Sequence, residues 1–181
     1  MIIYISMLRG INVGAHKRIK MDALKIMYEG MGFENVHTYL QSGNVIFTDE
    51  EKDSKKLEGK ISSQIKNEFG FDVPIIILSK EKLQDIVEQN PLSKDHQKDE
   101  SFLHFTFLAD EVMDYDELKI SSKKQEGEEY HISARAVYLY CPLSYSSTKL
   151  KNGFLERILK VQATTRNWKT ANALLELSSN L

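Results

Sequence analysis

The chain is expected to be an α+β protein built from two similar ferredoxin-like halves. Three observations lead there. The apolar pattern switches between period two and helical spacing in the order strand, helix, strand, strand, helix, strand. The same order then repeats in the second half of the chain. A polar, charged stretch from Asn90 to Ser101 separates the two runs. The expected domains are therefore residues 1–90, a first subdomain with its linking helix, and 91–181, a second with a C-terminal helix. Each half carries an antiparallel sheet.

The elements follow in order. Residues 2–8 (IIYISML) are rich in Ile and Tyr and read as a strand. A loop runs from 9 to about 20. Met21, Leu24, Met27, Tyr28 and Met31 then recur at helical spacing, with Gly32 as the stop. Methionine at this spacing is core packing rather than a cofactor box. Residues 35–48 read as a hairpin, with Val36, Thr38 and Leu40 alternating against His37 and Tyr39, and Ser42-Gly43-Asn44 as its turn. Ser54 is the expected cap of a helix whose stripe is Leu57, Ile61, Ile65 and Phe69, ended by Gly70. Pro74 opens the strand Ile75–Leu78, where a missing N–H costs little. Ser79 caps a linking helix over 80–89.

In the second half, Phe102–Leu108 alternates as a strand and Glu111–Ile120 reads as a short helix. Glu129–Ser133 and Ala136–Cys141 form a hairpin around Ala134-Arg135. Lys149–Lys160 is expected as a helix, with Leu150, Phe154, Leu155, Ile158 and Leu159 inward. Ala163–Trp168 is a polar fourth strand, and a last helix covers about 170–178.

Composition sets the class. Apolar residues make up 41% and charged residues 28%, enough to bury a core without metal or disulfide staples. The single cysteine, Cys141, excludes an internal disulfide and a cysteine metal cluster, and suits a reducing cytoplasm. The N-terminal apolar stretch has no basic segment before it and is too short for a signal peptide or a membrane span. The net charge of −2 argues against a dedicated duplex-DNA binder. The charge is unevenly spread. Arg9–Lys20 holds four Lys+Arg and no acidic residue, Lys94–His131 holds eleven Asp+Glu against five Lys, and Tyr145 onward holds six Lys+Arg against two Glu. Either this is solvated surface, or two basic segments meet across a cleft.

Topology turns these residues into geometry. In a βαββαβ unit the first two strands run the same way and end at one edge of the sheet. The loop after the first strand and the hairpin tip are therefore neighbours, beside the start of the first helix. Arg9, Asn12, Gln41, Ser42 and Asn44 are expected on one rim, where arginine and a helix N-terminus both favour an anion. The competing reading is that Gly10 and Gly14 shape a long turn while Asn12 bonds its own backbone. Near the C-terminus, Lys149, Asn152, Arg166 and Trp168 form a second candidate group. There, capping explains Ser146-Ser147-Thr148, and Trp168 is either a core anchor or a stacking platform beside Arg166. The five histidines are scattered without metal spacing, and there is no G-x-S-x-G elbow. No metal, no cofactor and no catalytic residue are assigned.

Four segments resemble the DUF1697 family, bacterial cytosolic proteins without an established biochemical role. They are Leu8–Gly14 (LRGINVG), Tyr39–Phe47 (YLQSGNVIF), Lys149–Glu156 (KLKNGFLE) and Ala163–Trp168 (ATTRNW). The family pattern often has a second glycine where this chain has Ala15, and Ser-Lys-Leu-Thr-Asn where it has Thr148–Asn152. The resemblance implies the same two-part α+β fold and a cytoplasmic protein, and it supplies no reaction.

The expected function is binding of a small anionic or phosphorylated ligand at the rim, with a nucleotide or single-stranded RNA as candidates. The alternatives are an enzyme acting on a small anionic substrate, with Lys149 as its titratable group if buried, and a homo-oligomeric interaction protein. No membrane partner is expected.

Overall fold

A computed structural model describes residues 1–181. The chain divides into two compact units, Met1–Gln84 with Ala173–Leu181, and Asp85–Asn172. Both dividing points fall inside helices, so the last nine residues belong with the first unit.

The first unit contains β1 (Ile2–Leu8), α1 (Met21–Gly30), β2 (Glu34–Tyr39), β3 (Asn44–Asp49), α2 (Ser54–Phe69) and β4 (Ile75–Ser79). Its sheet order is β2-β3-β1-β4, with every neighbouring pair antiparallel. β1 and β2 both oppose β3, so they run in the same direction, as the element order requires. Tyr4, Leu8, Val45, Phe47, Ile75 and Ile77 on one sheet face pack with Leu24, Met27 and Tyr28 of α1 and Leu57, Ile61 and Ile65 of α2. Each such side chain contributes about 1.5–3 kcal/mol on burial. Ser6, in the middle of β1, shares a 2.8 Å hydrogen bond with the buried Tyr28 hydroxyl, so neither oxygen is stranded.

The second unit contains β5 (Leu103–Leu108), α4 (Glu117–Ser121), β6 (Glu129–Ile132), β7 (Ala136–Tyr140), α5 (Asn152–Leu159) and β8 (Ala163–Asn167), in the sheet order β6-β7-β5-β8. α3 (Lys80–Glu88) and α6 (Trp168–Ser179) each belong to both units. Leu108, Val137, Leu139, Ile120, Leu150, Leu155 and Leu159 form the core on the helix side.

The two halves repeat in backbone bonding, though not in residues. The Leu8 N–H donates to Gly43 O, and the Leu108 N–H to Arg135 O. The Arg9 N–H donates to Pro74 O, and the Ala109 N–H to Gln162 O. Each last strand also has an amide taken by a glutamate of the preceding helix. Ile77 N donates to Glu58 Oε1 at 3.0 Å, and Ala163 N to Glu156 Oε1 at 2.9 Å. Both strands lie at a sheet edge, and an occupied edge amide is less available for pairing with another chain.

Several local expectations are corrected. Asp53, not Ser54, caps α2, accepting from Lys55 N at 3.0 Å. The carboxylate, one residue before the helix, accepts the N–H of the second helical residue. α4 begins at Glu117 rather than Glu111, because Asp116 accepts from Lys119 N and sets the start there. α5 begins at Asn152 rather than Lys149. Thr148 Oγ1 takes the Leu150 N–H in a local turn, which holds Leu150 in the core ahead of the helix. α6 begins directly at Trp168, with Asn167 Oδ1 accepting from Thr170 N.

Leu40 does not face inward. β2 ends at Tyr39 and Leu40 turns out of the strand at φ 59°, whereas the bulge between Glu34 and His37, with Asn35 at φ 51°, leaves His37–Tyr39 in regular register with β3. Ser79 does cap α3, through Lys82 N, and Gly70 ends α2 at φ 82°.

Candidate functional site

The loop from Arg9 to Lys20 leaves β1 and winds back to α1 through left-handed residues at Gly10, Asn12, Gly14 and Lys17. Asn12 organises it. Its Oδ1 accepts from Ile19 N at 2.9 Å, and its Nδ2 donates to Ile19 O and to Gln41 O, both at 2.9 Å. The first two bonds close the loop on itself, and the third ties it to the hairpin tip. Ile11 and Ile19 are buried on either side of this clasp. Gly43 completes the join. It lies so close to Ile11 and Leu8 that a Cβ there would fall 2.6 Å from Ile11 Cδ1.

The loop and the tip therefore share one rim, as chain direction predicts. The roles of the residues on it differ. The Asn12 amide is fully committed to backbone. Asn44 is buried, and its Nδ2 donates to Tyr39 O at 2.9 Å and to Ser42 Oγ at 3.1 Å, so it shapes the tip from inside. Gln41 and Ser42 are exposed, and Arg9 is half-buried. His16, Lys17, Arg18 and Lys20 are exposed on the loop, with Lys17 Nζ donating to Asp72 O and Arg18 to Gly14 O. None of these four is among the candidate residues named from the sequence, although the charge count of the segment includes Lys17, Arg18 and Lys20. Lys20 is the N-cap of α1 and offers no side-chain acceptor to the first turn.

The second candidate group divides between the two faces of its sheet. Asn152 Oδ1 accepts from Thr165 Oγ1 at 2.7 Å, and Thr165 Oγ1 lies 2.7 Å from Thr106 Oγ1. This polar chain sits in register on the face carrying Leu108 and Ala163. Arg166, opposite Phe105, lies on the other face, only 8% exposed, and donates to Thr164 Oγ1 and Thr165 O. Burial pushes its guanidinium down to about 10, so it stays charged at neutral pH. Trp168 stacks on Phe105 with centroids 5.6 Å apart, which makes it a packing residue rather than an open stacking platform. Lys149 is exposed, so the burial that its role as a titratable catalyst required is absent. Burial pushes the Cys141 thiol up to about 11, consistent with an inert apolar residue.

His104 stacks on Tyr145 at 4.8 Å, with Nδ1 3.1 Å from Phe102 O. Burial holds its pKa below the usual 6.5. The unfolded chain therefore takes up this proton first as pH falls, and stability is lost from about 6.5 downward. His104→Gln should flatten that part of an acid-denaturation curve, read by urea unfolding at stepped pH. An unchanged slope would assign the loss to other groups.

No group of His, Cys, Asp and Glu is placed to hold a metal ion, and no helix is long and apolar enough to cross a membrane. Residues 1–138, which include the whole rim, match the family model described as "Protein of unknown function (DUF1697)". The chain belongs to the DUF1697 family. The matched residues stop short of the segments 149–156 and 163–168, so the family assignment rests on Met1–Gln84 of the first unit and most of the second sheet. Among solved structures, this DUF1697 member is similar to the conserved bacterial protein SP0830 from Streptococcus pneumoniae, with a TM-score of 0.74, 22% identity and 98% of each chain covered. At that identity the likeness establishes the α+β fold alone. No curated protein matches the chain.

Proposed function

We propose that this DUF1697 protein binds a small anionic or phosphorylated ligand at the rim formed by the loop 9–20 and the tip 41–44. One observation carries the reading. The fold uses a loop at the equivalent place in both units, and the two loops have opposite charge. Arg9–Lys20 contains four Lys+Arg and no acid, whereas residues 109–116 contain four Asp+Glu and no base. Positive charge is therefore not a requirement of the turn itself. Arg9, Lys17, Arg18 and Lys20 are carried on a loop already clasped in place by Asn12, so little ordering is left for the ligand to impose. Gln41 and Ser42 add polar groups across the rim, and α1 starts beside it.

Nucleotides and sugar phosphates are the natural probes, and single-stranded RNA would use the same charges at several phosphates. In a thermal-shift screen at low ionic strength, a ligand at about a hundred times its Kd should stabilise by about 2.7 kcal/mol, or roughly 5–10 °C in Tm. Arg9→Ala should reduce the shift, and Arg18→Ala with Lys20→Ala should weaken affinity by at least about tenfold. No shift with any anion, or equal shifts in these variants, would overturn the reading.

A further inference from the structure

Two apolar side chains on the rim are left unburied by the fold. Val13 is 72% exposed at the outer turn of the loop, and Leu40 is 52% exposed at the foot of the hairpin tip. The Asn12–Gln41 bond holds their two segments side by side. Leu40 also sits at φ 59°, a left-handed conformation that a branched side chain enters at a cost and that glycine enters freely. That cost is not repaid by burial, and Arg18 is bonded to the carbonyl of Gly14, one residue along the loop from Val13.

We propose that the rim takes an organic anion, whose charged group meets the Arg18–Lys20 side and whose apolar ring or chain packs on Val13 and Leu40. The proposal rests on the anion reading above and narrows it to a ligand class. Charge complementarity selects the anion, and the exposed pair selects one that carries apolar surface over a bare inorganic ion.

Calorimetric titration of the full chain at low ionic strength separates the cases, with inorganic phosphate and phenyl phosphate as probes. Both carry a phosphoryl group, and only one has a ring. Phenyl phosphate should bind about tenfold more tightly, which is the effect expected from covering one face of a ring. In Val13→Ser and in Leu40→Gly the preference should fall to about one, with inorganic phosphate binding unchanged. Leu40→Gly relieves the left-handed strain, so its Tm should not drop, and loss of preference there cannot be ascribed to unfolding. Equal binding of both probes by the native protein would overturn this inference and leave the anion reading standing. Failure to bind either would end both. A preference that survives both substitutions would place the apolar contact elsewhere. Binding to phosphatidylglycerol vesicles without preference for phenyl phosphate would replace the small ligand with a lipid surface.

Discussion

Gly43→Ala should destabilise the protein by about 3 kcal/mol, roughly 6–12 °C in Tm, and disrupt the rim. Two costs add. The residue is at φ 81°, where any Cβ is strained by about 1 kcal/mol or more. The new Cβ would also lie 2.6 and 2.9 Å from Ile11 Cδ1 and Cγ1, and 2.9 Å from Leu8 Cβ. Ile11 is 1% exposed and Leu8 is fully buried, so neither side chain has space to retreat. Gly10→Ala is the internal control. Gly10 has φ 72° but nothing within 4 Å of the added atom, so it should lose only the strain, about 1 kcal/mol. Urea unfolding of the two variants measures the difference. Equal losses would mean that the close approach at Gly43 relaxes without cost.

Asn12→Ala should cost about 2–3 kcal/mol, because three hydrogen bonds are lost and the partner groups of Ile19 stay in a partly buried place. The more informative substitution is Asn12→Asp. It keeps the size and the oxygen that accepts from Ile19 N, but it turns a donor into a carboxylate oxygen facing two carbonyls. At neutral pH it should be at least as damaging as alanine, and protonation of the new carboxyl at low pH should recover part of the loss. Hydrogen exchange at the Ile19 amide gives a local readout, since that N–H donates to Asn12 Oδ1. An Asn12→Asp protein as stable as the native one would show that the two Nδ2 bonds contribute nothing to the clasp.

Much of the rim was legible before any coordinates, for a topological reason. Strand direction follows from element order, so the end of β1 and the end of β2 had to meet at one edge. What those residues do with their polar atoms was only partly legible. Asn12 reads either as a ligand group or as a residue bonding backbone, and it does the latter; Asn44 reads as a ligand group and is occupied by the Tyr39 carbonyl and the Ser42 hydroxyl. Leu40 reads as the next residue of the strand and is exposed, because β2 ends at Tyr39 and Leu40 turns away at φ 59°. Lys17, Arg18 and Lys20 carry no motif, and only the charge count of their segment marks them.

The second candidate group shows the same limit. Lys149, Asn152, Arg166 and Trp168 are close in sequence and divide by face. Thr165 and Arg166 alternate across one strand, so Asn152 joins a hydroxyl chain on the helix side while Arg166 lies against Phe105. The period-two rule was available for β8, but its polar sequence hid which face was inward.

By itself, the sequence determined the α+β class, the doubled βαββαβ order, the antiparallel sheets and the meeting of loop 9–20 with the tip at 41–44. These depend on apolar periodicity and chain direction, which are properties of neighbouring residues. Only the tertiary structure decided which polar side chains are spent on the fold and which face solvent. A hydrogen-bond partner is chosen by distance in space, and Asn12 finds Gln41 twenty-nine residues away.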